Sequence, residues 1–265
     1  MSFPYKHVLM IGATSGIGKG LSERFVQAGI KVTAVGRRQD RLDEFVSKHG
    51  TSKASGVAFD LGNTAKIPQF VTDVTRASPD IDCLFLNAGV QGTYDFSKPE
   101  TVNLAAFNSE INVNFTSFVA LVYAFLPFLL SKKTDTSIVF TGSHLAIIPA
   151  VTMPAYSGSK AALNAFTLCL RDQLALSNIK VIELSPPPVQ SELHDYMGDH
   201  GRKIGMPLDE FSDKAFELLR SGKDQIIIGT VGPTGQGGPA EMFLEVIEKR
   251  RSVFEWLSKI MLGRP

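Results

Sequence analysis

An α/β fold built on a doubly wound parallel sheet of about seven strands is predicted by three features of the sequence. Short apolar runs alternate with segments of helical periodicity from the first residues onward. Those runs are apolar at nearly every position rather than at every second one. The first of them leads at once into a glycine cluster and then a helical pattern. A strand that is apolar throughout must bury both faces, which is what helices packed on the two sides of a parallel sheet achieve.

The apolar runs place strands over residues 7–13, 31–37, 55–61, 82–89, 137–143, 180–186 and 225–229. The helical patterns between them cover 16–28, 40–49, 64–77, 104–130 and 155–176. With 265 residues, the chain fits one domain over 1–265 and can bury a large core without cross-links. A formal net charge of +1 gives no electrostatic basis for binding nucleic acid or an anionic membrane. The longest apolar run, 118–130, is interrupted by Pro127 and is shorter than the about 20 residues a bilayer span needs, so a buried helix is expected. The strand pattern begins by His7, leaving no room for a targeting segment, and a soluble cytoplasmic protein is the default. Residues 229–239, rich in Gly and Pro, read as a loop. Residues 240–262 form an amphipathic helical segment expected to dock on the domain.

Ligands of such sheets lie beyond the carboxyl ends of the strands. There, after the first strand, stand Gly12, Thr14, Ser15, Gly16, Ile17 and Gly18, opening a helix. Glycines let the backbone turn and approach a pyrophosphate, and the helix N-terminus offers unpaired N–H groups. The second strand ends in Gly36-Arg37-Arg38, with no acid to hold a ribose 2′-OH. Arginine there suits a 2′-phosphate, so NADP(H) is expected over NAD(H), with Arg37 as the leading residue.

Tyr156 and Lys160 stand four apart at the start of a helical pattern behind Pro154, and so share a face. An ammonium near a phenol favours the phenolate and lowers its pKa from about 10. Ser143, at the end of a strand thirteen residues earlier, adds a hydroxyl to the pair. Together with the glycine cluster, Asn87-Ala88-Gly89 and Asn114, these residues resemble the short-chain dehydrogenase/reductase family in its single-domain, Rossmann-fold branch, over residues 7–191.

That resemblance implies roles. Tyr156 is then the general acid in reduction and base in oxidation. Lys160 holds the nicotinamide ribose and depresses the tyrosine pKa, Ser143 orients the substrate oxygen, and Asn114 anchors a water leading from Lys160 to solvent. Asp60 and Leu61 contact the adenine, Asn87, Ala88 and Gly89 line the cofactor cleft, and Pro186, Val189 and Ser191 border the nicotinamide. The sequence departs from the family pattern at Ile11 and Leu86, where Thr and Asn are usual, and at Pro187, where Gly is usual. The Pro-Pro-x-Val variant at 186–189 resembles a subfamily that includes oxidoreductases of the D-alanyl-lipoteichoic acid operon.

The implied activity is reduction of a small-molecule carbonyl to an alcohol, or the reverse. Two alternatives use the same scaffold: an imine reductase, or a non-catalytic NADP(H)-sensing regulator. The sensor reading gives no reason for Tyr156, Lys160, Ser143 and Asn114 to occur together. Residues 192–221, containing Tyr196, Met197, Met206 and Phe211, are expected to form a substrate lid hinged at glycines. His144 is expected to be a pocket wall and His194 a solvated loop residue. Cys83 and Cys169 are expected to be reduced core thiols, and no metal site is expected. The apolar surface of 104–130 and 155–176, with Phe115, Phe118, Tyr123, Phe125, Phe166 and Leu170, suggests a second buried face and hence a homodimer or homotetramer.

Overall fold

The computed structural model describes residues 3–232 and 238–262. Seven strands are present among them: β1 (His7–Ile11), β2 (Lys31–Gly36), β3 (Ala54–Ala58), β4 (Cys83–Leu86), β5 (Thr136–Thr141), β6 (Ile179–Ser185) and β7 (Gln225–Ile227). They pair in parallel in the order β3-β2-β1-β4-β5-β6-β7. The chain therefore winds outward through β2 and β3, returns to place β4 beside β1, and winds out the other way. The predicted fold class is the one observed.

β1 shows why its sequence is apolar throughout. Val8 and Met10 enter the core on one face, and Leu9 and Ile11 the core on the other. The first core lies under α1 (Gly16–Gln27), α2 (Gln39–His49) and α8 (Leu208–Leu219). The second lies under α3 (Ile67–Ala77), α5 (Ser117–Leu130) and α6 (Pro154–Gln173). Strand side chains alternate between faces, so a sheet covered on both sides needs an apolar residue at each position.

The expected helix over 104–130 is continuous but irregular. It consists of α4 (Leu104–Ile111), a π-helical segment Asn112–Thr116, and α5. It is long and apolar enough to cross a membrane by length and composition. Its Phe118, Leu121, Val122, Phe125 and Leu129 are nevertheless spent in the second core. Phe118, Phe125 and Leu170 are thus accounted for within the chain, Phe115 and Phe166 pack edge-to-face on each other, and Tyr123 is exposed. These aromatics do not form the single extra face expected of them.

Three further expectations are corrected. Cys83 is fully buried, but Cys169 is exposed on α6, because its position on the helix falls outside the apolar stripe. His194 is buried rather than solvated. The 192–221 stretch divides in two: a 3₁₀ turn (Glu192–Met197) and α7 (Gly198–Gly201) are followed by α8, whose Phe211, Ala215 and Leu219 are core residues.

The terminal helix α9 (Pro239–Leu262) docks mainly through its first half. Phe243 is buried against the His144 ring, and Arg251 pairs with Asp224 at 3.0 Å. Trp256, Ile260 and Met261, near its end, are exposed. In the loop expected over 229–239, residues 233–237 lie outside the described residues.

Candidate active site

The return of the chain from β3 to β4 opens a crevice between the carboxyl ends of β1 and β4, the switch point at which such sheets bind ligands. Its floor is the turn that follows β1. The backbone N–H groups of Gly12 and Ala13 both donate to the Val35 carbonyl at 2.9 Å, and those of Asn87 and Ala88 donate to Ile11. The Asn87 side chain ties the two strand ends together, donating to the Gly12 carbonyl at 3.2 Å and accepting from Thr141 Oγ1 at 3.0 Å.

The glycines are required by close approach. A Cβ on Gly12, whose φ is +89°, would lie 2.6 Å from the Ala88 Cα; one on Gly18 would lie 2.0 Å from the Gly12 carbonyl oxygen. The N-terminus of α1 sits above this turn. It has no acidic residue in its first turn, and Ser15 makes no side-chain cap bond to it. A bare helix N-terminus over a glycine turn fits a pyrophosphate. Ile11 and Leu86, the two departures from the family pattern, are fully buried core residues beneath it.

Of the two arginines expected to meet a 2′-phosphate, Arg37 is exposed and Arg38 lies on the turn, its Nη2 donating to Thr14 Oγ1 at 3.1 Å. Arg41 joins it, donating to the Thr14 carbonyl at 3.0 Å. Sequence reading did not single out Arg41, which lies in the first turn of α2 while Arg38 is the extended residue that caps it. Asp60 and Leu61 lie just past β3, the former exposed and accepting from the Gly62 N–H.

Ser143, Tyr156 and Lys160 converge beyond β5. Ser143 closes the strand in extended conformation and accepts the Leu145 N–H at 3.1 Å. The Ser143 side chain lies beside the Tyr156 phenol, near enough to favour its ionised form. Lys160, buried one turn further along α6, donates to the Thr141 carbonyl at 2.8 Å, with its Nζ 5.6 Å from the centre of the Tyr156 ring.

Asn114 reaches the same place from the π-helical segment. It accepts from the Val90 N–H and donates to the Val90 carbonyl, both at 2.9 Å, and donates to Ser159 Oγ at 3.2 Å. Ser159 in turn donates to the Tyr156 carbonyl. The widened π turn is what directs an α4–α5 residue at two other segments at once; such segments are frequent at functional sites.

The protonation balance of the site differs from the expectation. Burial pushes the Tyr156 phenol up to about 12, opposed by the neighbouring Ser143 side chain and reinforced by the charge of Glu110. Burial brings Lys160 down to about 8, opposed by Glu183. The expected depression of the tyrosine by Lys160 is absent here because the ammonium is turned to the Thr141 carbonyl. Glu110 went unnoticed in the sequence, although it lies four residues before Asn114. Burial lifts it to about 7, against the bond it accepts from the Tyr94 hydroxyl at 3.0 Å. Burial also brings His144 down to about 4, so its ring is neutral at neutral pH.

The segment after β6 borders both halves of the crevice. Met206 N–H donates to the Pro188 carbonyl at 2.9 Å and Gln190 N–H to the Met206 carbonyl at 3.0 Å, so Val189's own N–H takes no part in this bridge. Gly205, at φ +89°, is required by it, since a Cβ would lie 2.0 Å from the Pro188 oxygen. Pro186 and Val189 are buried, and Ser191 faces the glycine turn, its Cβ 3.1 Å from where a Cβ on Gly16 would stand.

The short chain dehydrogenase family profile matches residues 6–200. The chain is 32% identical over 221 residues to the uncharacterized oxidoreductase DltE of Bacillus subtilis (strain 168), covering 83% of this chain and 86% of that protein. It is 31% identical over 186 residues to the serine 3-dehydrogenase of Rhizobium radiobacter, covering 70% and 72%. Among solved structures, a short-chain dehydrogenase from Sphingobium yanoikuyae in complex with NADPH superposes with a TM-score of 0.79 at 24% identity, covering 94% and 95%. The closed form of serine dehydrogenase complexed with NADP+ gives 0.75 at 24% identity, covering 87% and 99%. With the family profile spanning most of its length and a relative above 30% identity over more than four-fifths of it, the chain is a member of the short-chain dehydrogenase family.

Proposed function

We propose that this protein is an NADP(H)-dependent oxidoreductase that interconverts a small-molecule carbonyl and the corresponding alcohol. The observation that carries the reading is the convergence of buried Tyr156 and Ser143 at the carboxyl edge of the sheet, backed by Lys160 and Asn114, beside a glycine turn suited to a pyrophosphate. NADP(H) is favoured by the guanidinium pair Arg38 and Arg41 on the Thr14 turn, and by solved relatives that carry NADP+ or NADPH. When bound, the nicotinamide supplies or takes up the hydride.

The chain's own residues handle the proton. Tyr156, a phenol at neutral pH because burial holds its pKa high, donates to the substrate oxygen as that oxygen gains negative charge. Ser143 donates a second hydrogen bond to the same oxygen, fixing its position and stabilising the developing alkoxide. Lys160 and Asn114 hold α6 against the end of β5 and the loop after β4, so that the two hydroxyls are oriented before substrate arrives. In the oxidative direction Tyr156 must first lose its proton, so that rate rises with pH.

The direct test is a panel of aldehydes, ketones and cyclic imines with NADPH and with NADH. Turnover of carbonyl compounds with NADPH is expected, and no consumption of either cofactor by any compound would sink the enzymatic reading.

The charge of Glu110 raises the Tyr156 pKa. Glu110→Gln keeps an acceptor for Tyr94 and removes that charge. The alkaline rise of the oxidative rate is expected to move to lower pH. A midpoint that stays put or moves up would show that Glu110 does not act on the tyrosine.

Assembly as a homodimer or homotetramer belongs to the same reading, supported by exposed Tyr123 and Leu130 on α5. Light scattering at micromolar protein is expected to give a multiple of 28.8 kDa. A monomer mass counts against it.

A further inference from the structure

The Arg38 and Arg41 guanidiniums already have an anionic partner within the chain. Glu192, the first residue of the turn after Ser191, bridges them: Arg38 Nη1 donates to one carboxylate oxygen at 2.7 Å and Arg41 Nη1 to the other at 2.6 Å. These contacts join segments more than 150 residues apart in sequence. Both arginines also donate to Thr14, Arg38 through Nη2 and Arg41 through Nη1, contacts that do not involve the carboxylate. Burial opposes ionisation of Glu192, but the bonds from Arg38 and Arg41 hold its carboxyl below the usual range, and it is a carboxylate at neutral pH. Beside the bridge runs a groove of about 500 Å³ lined by Ser15, Gly16, Lys19, Arg41 and Ser191, bringing the glycine turn and the start of the 192–205 stretch onto one surface.

Resting on the NADP(H) reading above, we infer that Glu192 is a specificity-determining residue: it occupies the seat of the cofactor's 2′-phosphate and is displaced by that phosphate, which frees the turn Glu192–Met197. A phosphate monoester carries more charge than a carboxylate and offers three acceptor oxygens to the same two forks, so it wins the competition. NAD(H) has a hydroxyl at this position and leaves the bridge closed. The 192–205 stretch thereby responds to which dinucleotide has bound, and the chain discriminates through a movement as well as through affinity. The bridge also lowers the apparent affinity for NADP(H), since only the fraction of molecules with the seat vacant can bind. A seat filled about nine-tenths of the time weakens binding about tenfold.

The test uses the full-length protein, calorimetry and hydrogen exchange. Glu192→Gln keeps the size and removes the charge. It is expected to tighten NADP+ and 2′-AMP about tenfold by the same occupancy argument, and to leave NAD+ and 5′-AMP unchanged. In the wild type, 2′-AMP but not 5′-AMP should speed amide exchange over residues 192–205. In Glu192→Gln that stretch should exchange fast from the start and not respond. If 2′-AMP binds wild type but Glu192→Gln binds it equally or more weakly, the displacement is wrong while the NADP(H) reading stands. The same holds if 2′-AMP binds and exchange over 192–205 does not change. If 2′-AMP binds neither protein, both readings fall.

Discussion

Tyr156→Phe is expected to lose about 10³-fold in turnover, within the 10²–10⁴ typical of a positioned acid or base, while binding NADPH as the wild type does. The substitution deletes one atom. The ring remains in its buried place on α6, and Lys160 keeps its bond to the Thr141 carbonyl, so the dinucleotide cleft is untouched. The Ser143 hydroxyl then has no phenol beside it and must stabilise an alkoxide alone. Fluorescence titration with NADPH together with steady-state rates separates binding from chemistry. A variant with near-normal turnover would remove Tyr156 from the reaction, and one that no longer binds NADPH would make its role structural.

The second large effect is expected at Gly18. An added Cβ there would meet the Gly12 carbonyl oxygen at 2.0 Å and Asn87 Nδ2 at 2.5 Å. Neither can give way, because Gly12 is tied to Val35 and Asn87 to Thr141. Helix α1 must therefore move out in Gly18→Ala, taking with it the N–H groups that face the crevice. Overpacking of this kind costs about 1–3 kcal/mol or more. We expect a lower urea midpoint and a loss of at least about tenfold in NADP+ affinity, each 1.4 kcal/mol of displaced contact being a factor of ten. Gly158→Ala is the control. On α6 nothing lies within 4 Å of its added Cβ, and a helix-interior alanine should stabilise by about 0.5–1 kcal/mol. Equal midpoints for the two variants would disprove the account of the turn.

The contrast between these glycines shows what could be read from sequence. Gly12 and Gly18 follow an apolar run and open a helix, a context that only a tight turn satisfies, and they were legible with the strands around them. Tyr156, Lys160 and Ser143 were legible because helical spacing and strand ends put them on one edge. Arg41 and Glu192 were not. Their meeting depends on where a segment after the sixth strand comes to rest, and no local periodicity encodes that. The upward shift of Tyr156 was hidden for a related reason. Spacing told that Lys160 shares a face with it, but the direction of the ammonium is set by a carbonyl of β5. Cys169 and His194 went the other way round from expectation because a single residue's exposure depends on its rotation about the helix or turn axis, to which composition is blind.

The backbone bridge of Pro188 and Gln190 with Met206 brings the two ends of the intervening stretch to a single point. What lies between is a loop anchored at its neck, whose length is almost thermodynamically free: doubling it costs about 0.6 kcal/mol in closure entropy. Insertions or replacements there can remodel the space above the reacting atoms without disturbing the sheet, since the next helix is already rooted in the core. A graft of a longer stretch from a relative, joined at Gln190 and Met206, is the economical way to change which molecules this scaffold accepts.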